Sequence, residues 1–95
     1  MKRESLLINT ARGGLVNEED LLKALRENVI AGAAVDVFSS EPPRGGNVLL
    51  TSSLPNLIIT PHIAWASDQA VKLLADQLID NLEAFVNSES RNRVV

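Results

Sequence analysis

The 95-residue chain has no cysteine. That excludes a disulfide scaffold and a thiolate metal site, and it fits a reducing cytoplasm, the expected location. No apolar run approaches the roughly 20 residues that cross a bilayer. The start, Met1-Lys2-Arg3-Glu4-Ser5-Leu6, puts charges before apolar residues, but Leu6-Leu7-Ile8 is far too short for a signal-peptide core. There is no basic stripe, and the formal net charge is −3. Neither a nucleic-acid partner nor an anionic membrane is therefore expected. The chain also lacks internal repeats and low-complexity tracts.

What remains is the composition of a small globular domain, 45% hydrophobic with mean hydropathy near zero. At this length a chain buries about 60–65% of its unfolded surface, enough for one modest core. Three short apolar runs read as strands: Leu6 to Asn9, Ala31 to Phe38 and Leu57 to Thr60. Their apolar residues run on without alternating, the pattern of strands buried on both faces. The small residues Ala31, Gly32, Ala33 and Ala34 suggest a helix packed close to the second run.

Two helices are predicted. The first starts at an Asn17 cap, with acidic residues at its positive end and Leu21, Leu22 and Leu25 on one face. Asn28 ends it. The second starts at Ser67 and runs to about Asn87. Its stripe of Val71, Leu74, Leu78, Leu82 and Phe85 has helical spacing and reads as core. Between strands two and three, Pro42-Pro43 and Gly45-Gly46 mark a loop over 39–55, with Leu49, Leu50 and Leu54 as anchors. Gly13-Gly14 reads as a tight turn and not as a phosphate cradle. The tail from Ser88 to Val95 is polar and is expected to fray.

The order strand, helix, strand, loop, strand, long helix predicts an α/β fold with a parallel sheet. Ligands bind such sheets outside the carboxyl ends of the strands. The first strand leads to Arg12, the second to Asp36 and Glu41, and the third to His62, the one histidine of the chain. A base, a carboxylate that orients it and a cation that holds an anion thus fall on one sheet edge. Each has a bland reading as well. A histidine after a strand is usually structural, an arginine there is usually a surface residue, a glutamate before Pro-Pro is usually solvated, and an aspartate such as Asp36 commonly caps a turn. Trp65 either packs or shields the cleft.

Three strings bear on these alternatives: Leu7-Ile8-Asn9-Thr10-Ala11-Arg12-Gly13-Gly14-Leu15-Val16; Gly32-Ala33-Ala34-Val35-Asp36-Val37-Phe38 with Glu41-Pro42; and Thr60-Pro61-His62-Ile63-Ala64-Trp65-Ala66-Ser67. In this order and spacing they resemble the C-terminal part of the nucleotide-binding domain of D-isomer-specific 2-hydroxyacid dehydrogenases. The His-Ile-Ala-Trp-Ala-Ser string is most similar to the hydroxypyruvate reductase (glycerate dehydrogenase) branch. The resemblance implies the C-terminal portion of a Rossmann-type sheet and a long C-terminal helix that leads back towards a second domain, so that part of the helix's apolar face would lack its normal cover in this chain and invite association. It implies an NAD- or NADP-dependent oxidoreductase acting on a small 2-oxo acid or 2-hydroxy acid, and a homodimer. It also implies the roles. Arg12 binds the carboxylate and carbonyl of the substrate, His62 is the acid/base and Glu41 hydrogen-bonds it. Asp36 contacts the nicotinamide carboxamide, and backbone around Ala11 and Ala64 lines the nicotinamide pocket.

The residue types suit that chemistry. A proton donor works best when it titrates near the working pH, as imidazole does. Guanidinium binds a carboxylate through two parallel hydrogen bonds. The chain nevertheless has no G-x-G-x-x-G loop, no residue that would choose between NAD and NADP, and no substrate domain. Met1-Lys2 resembles an interior pair that precedes this strand in the family. Residues 1–95 are therefore expected to be a partial NAD(P)-binding domain, inactive alone. The alternatives are a non-catalytic α/β interaction module and an inactive truncated remnant.

Overall fold

The computed structural model describes residues 1–94, which form two compact units, 1–64 and 65 onward. The first unit contains β1 (Leu6–Asn9), a 3₁₀ turn (Gly13–Leu15), α1 (Glu18–Arg26), β2 (Gly32–Val35) and β3 (Leu57–Ile59). The second contains α2 (Asp68–Val86).

The sheet is parallel, in the order β1-β2-β3, and its register pairs Ile8 with Ala34 and Ala34 with Ile58. Two backbone bonds continue the ladder past the strand ends. The N–H of Asp36 donates to Asn9 O and that of Thr60 donates to Val35 O, both at 3.0 Å. They staple the three carboxyl ends together, and these ends carry the polar residues picked out from the sequence.

α1 begins as its sequence predicts. Asn17 Oδ1 accepts the N–H groups of Glu19 and Asp20, and acidic residues fill the first turn. It ends with Asn28 at φ 53°, whose N–H donates to Leu25 O while Val29 N–H donates to Ala24 O. This is the paired closure of a Schellman motif, in which asparagine tolerates the left-handed position. α1 buries Leu21 and Leu25 in one cluster with Ile30, Ala33, Val35 and Leu49. Removing such a leucine from water stabilises by about 1.5–3 kcal/mol.

The strands are covered on one face only. Leu6, Ile8 and Ile58 are 67%, 69% and 65% exposed. An uninterrupted apolar run shows that both faces are apolar, but not that both are covered. β2 is also shorter than the run from Ala31 to Phe38: the Asp36 N–H still bonds Asn9 O, but the Phe38 N–H turns to the Glu41 side chain. Of the three loop leucines, Leu49 is fully buried and Leu54 packs on the core, whereas Leu50 is exposed.

In the second unit, the Ser67 side chain accepts from Ala70 N–H at the start of α2, and Ser88 at φ 59° closes its end. The expected core stripe is exposed: Val71, Leu74, Leu78, Leu82 and Phe85 all face solvent, and Ala84 is the one buried helix residue. Trp65 is exposed too. Helical spacing fixes which residues share a face, while burial needs a partner for that face. The tail from 88 to 94 forms no helix or strand, and two of its side chains bond back to α2. Arg91 pairs with Asp80 at 2.7 Å and with Asn81, and Asn92 also bonds Asn81. Val95 lies outside the described residues. No described helix is long and apolar enough to cross a membrane.

Candidate active site

Three loops leave the carboxyl edge of the sheet, and a polar side chain organises each. The first follows β1. Asn9 is buried, and both ends of its amide are used: Oδ1 accepts Ala11 N–H at 3.2 Å and Nδ2 donates to Arg12 O at 3.0 Å. This Asx turn fixes the backbone of Arg12. The guanidinium donates through Nη1 to Ala11 O at 2.6 Å. Arg12 makes no ion pair with Glu41 or Asp36 among the described residues, although its charge favours ionised Glu41.

The second loop holds Glu41. Oε1 accepts the Phe38 N–H at 2.7 Å and Oε2 accepts from His62 Nδ1 at 2.6 Å. These two bonds, the Phe38 amide first, hold the carboxyl below its ordinary pKa. Glu41 is therefore ionised near neutral pH. A carboxylate only accepts hydrogen bonds, so the proton between the pair belongs to Nδ1 of His62. In the neutral ring Nε2 is then the nitrogen that does not carry the proton. The Phe38 backbone is in turn tucked against Gly13, where a Cβ would lie 1.9 Å from the Phe38 carbonyl carbon.

The third loop carries His62 itself, at φ 56°, a left-handed conformation that histidine adopts more readily than most residues. Asp36, only 3% exposed, holds it from both sides. Oδ1 accepts the Thr60 hydroxyl and the Ile63 N–H at 2.9 Å, and Oδ2 accepts the Ala64 N–H at 2.8 Å. The Thr60 bond does most to lower the Asp36 pKa. The amides of Ala64 and Ile63 and the His62 charge add to it, and partial burial opposes them. A strained backbone angle persists where its surroundings over-determine it, and here they do.

Glu41 and His62 line a cleft of about 540 Å³ together with the apolar residues Phe38, Pro43, Leu50, Ile59 and Pro61 and the polar Asp36 and Thr60. An apolar cleft with a few convergent polar groups is the usual form of a small-molecule site. The structure thus brings Glu41 and His62 into contact and sets Asp36 beside them. Arg12 stands on the neighbouring loop. Sequence reading missed Asn9 and Thr60. The signal was available for Asn9, an asparagine between a strand and a Gly-Gly turn.

A parallel sheet with a cleft outside the carboxyl ends of its strands is the Rossmann-type arrangement. Residues 1–64 match the family of the D-isomer specific 2-hydroxyacid dehydrogenase, NAD binding domain, and the chain belongs to that family. Among its relatives is a glycerate dehydrogenase of Methylorubrum extorquens, 58% identical over 94 residues, a match that covers 99% of this chain and 30% of that protein. A hydroxypyruvate reductase of Blautia hydrogenotrophica is 43% identical over 94 residues, covering 99% and 29%. An acyclic imino acid reductase solved in complex with NADPH and D-Arg superposes with a TM-score of 0.82 at 33% identity, covering 100% of this chain and 29% of that one. The chain thus spans just under a third of the length of these relatives.

Proposed function

We propose that this chain supplies one half of the catalytic site of an NAD(P)-dependent D-2-hydroxyacid dehydrogenase acting on a small 2-oxo acid of the hydroxypyruvate type. The observation that carries the reading is the 2.6 Å contact of His62 Nδ1 with Glu41 at the carboxyl edge of the sheet. It supports Nε2 as the ring nitrogen that exchanges the proton. In reduction His62 gives the Nε2 proton to the carbonyl oxygen as it gains charge. In oxidation it takes that proton back. Glu41 holds the ring orientation and stabilises the imidazolium. Arg12 binds the substrate carboxylate through paired N–H groups and orients the carbonyl.

The residues present fit the nicotinamide end of the cofactor. Asp36 uses three acceptor positions, two on Oδ1 and one on Oδ2. A carboxylate offers about four, which leaves one on Oδ2 for a carboxamide N–H. Backbone at Ala11 and Ala64 would line the same pocket. When bound, the nicotinamide supplies or accepts the hydride. The chain contains no G-x-G-x-x-G loop, so the pyrophosphate would be held by other residues. Residues 1–95 accordingly act as part of a nucleotide-binding domain, in a cytoplasmic homodimer, and do not turn over substrate alone.

A chimera tests this reading. Residues 1–94 replace the matching segment of the Methylorubrum glycerate dehydrogenase, which is similar enough to accept them. The chimera is expected to reduce hydroxypyruvate with a nicotinamide cofactor, and Arg12→Ala is expected chiefly to raise KM. A folded chimera that binds cofactor but reduces no 2-oxo acid would overturn the proposal. It would favour a non-catalytic interaction module.

A further inference from the structure

We infer that Glu18, the first residue of α1, is a positioning residue for the Glu41–His62 pair. Its carboxylate is a three-donor clamp. Oε1 accepts the Ser39 N–H at 2.8 Å, while Oε2 accepts the Ser39 hydroxyl at 2.9 Å and the Asn47 Nδ2–H at 2.8 Å. These partners lie 21 and 29 positions away in sequence. They bracket Glu41, with Ser39 two residues before it and Asn47 six after.

Leu49 and Leu54 anchor the far part of the segment in the core, and the stretch around Glu41 is the part that Glu18 holds. Between β2 and β3 it forms no helix or strand, and its backbone bonds around Glu41 are short-range turns, Arg44 to Pro42 and Gly46 to Pro43. Those turns shape the loop but do not tie it to the body. Glu18 ties both ends of that stretch to the rigid start of α1, which is fixed by the Asn17 cap and by Leu21 and Leu25 in the core. Gly13 adds the close approach under Phe38, whose N–H holds the other oxygen of Glu41. A charge-assisted bond has a narrow optimum, so a loop free to drift would lose the 2.6 Å contact to His62 first.

Glu18 touches neither the cleft nor His62, so its effect must pass through Glu41. The inference deepens the dehydrogenase reading, but its test reads the ring of His62 and not turnover, so the two fail separately. The chain has one histidine, so its ring nitrogen-15 signals are unambiguous. Recorded on the 95-residue chain at about pH 9, above the ordinary imidazole range, they report which nitrogen carries the proton of the neutral ring. The Nδ1-protonated form is expected to dominate in the native sequence. Glu18→Ala should make it the minor form, and Glu18→Gln, which keeps one acceptor oxygen, should fall between them.

Adding Glu18→Ala to Glu41→Gln should change nothing further, because the path runs through Glu41. Should Glu18→Ala fail to fold, Ser39→Ala removes one of the three bonds at an exposed position, and a partial loss of the Nδ1-protonated form supports the inference. The inference is overturned by an unchanged tautomer in either variant. It is overturned equally by a Glu18 effect that persists in the Glu41→Gln background, or by a native ring protonated mainly at Nε2.

Discussion

The carboxylate of Glu41 meets Nδ1 of His62 at 2.6 Å across 21 positions of sequence. One oxygen of Glu41 is held by the Phe38 amide, and the other holds the ring. Fixing one nitrogen this way assigns the chemistry to the other. In the chimera, Glu41→Gln replaces an acceptor-only carboxylate by an amide that fits either tautomer. We expect kcat to fall about 10²-fold or more, the low end of what a positioned acid/base contributes, with little change in cofactor affinity. Steady-state kinetics and cofactor titration check this. A kcat within twofold of the unmutated chimera would show that Glu41 does not act on His62.

Asp36 and Glu41 both ionise more readily than ordinary carboxyls. A carboxylate depressed in the native state contributes stability that is fully present above its unfolded pKa and is lost as pH falls through its native value. The melting temperature is therefore expected to hold from about pH 7 to about pH 5 and to fall progressively below about pH 4, the ordinary carboxylate range. Asp36→Asn should lower it at neutral pH, because an amide cannot accept from the Thr60 hydroxyl, Ile63 and Ala64 together, and should flatten the acid slope. Circular-dichroism melts from about pH 7 to pH 3 provide the measurement. Parallel slopes for the two proteins would remove Asp36 from the account of acid unfolding.

Two adjacent glycines should behave differently. A methyl at Gly13 would overlap the Phe38 carbonyl, whereas one at Gly14 meets nothing within 4 Å. Gly13→Ala should cost about 1–3 kcal/mol, the usual range for overpacking. It should also disturb the Phe38 N–H that holds Glu41. Gly14→Ala should stay within about 0.5 kcal/mol, as surface changes do. Urea unfolding of both variants separates them, and equal costs would contradict the close approach.

The stripe on α2 should be energetically cheap to remove from the folded chain. Leu74 and Leu78 are exposed, so changing either to Gln should alter stability by about 0.5 kcal/mol or less, against about 2–5 kcal/mol for a core leucine. The same changes should reduce concentration-dependent association, since contiguous exposed apolar surface is adhesive. Urea unfolding and sedimentation measure the two effects. A core-sized loss of stability would contradict the observed exposure.

These elements also show what the sequence makes legible. Asn17 and Ser67 act locally, bonding N–H groups two or three residues on, and both helix starts could be read from them. The spacing of Val71, Leu74 and Leu78 gave the helix and its face. Coverage of that face depends on residues distant in sequence, and there the core reading failed, as it did for Leu6, Ile8 and Ile58. Strand order placed Arg12, Asp36 and His62 on one edge because parallel strands share their carboxyl ends. The same order placed Glu41 on that edge as a carboxylate able to orient His62, and the family resemblance added the hydrogen bond between them. Thr60 and Glu18 were invisible as organisers of the site, because their partners lie 21 to 29 positions away, beyond any periodicity. Asn9 was legible, as an asparagine between a strand and a Gly-Gly turn, but was passed over. The bond from Arg91 to Asp80, eleven positions back, was likewise not legible from the polar character of the tail.

The central claim is that His62 carries the proton. The most direct measurement is kcat for hydroxypyruvate reduction by the chimera with His62→Gln. We predict a fall of about 10²- to 10⁴-fold with cofactor binding retained. A kcat within twofold of the unmutated chimera would contradict the account and return His62 to a structural role.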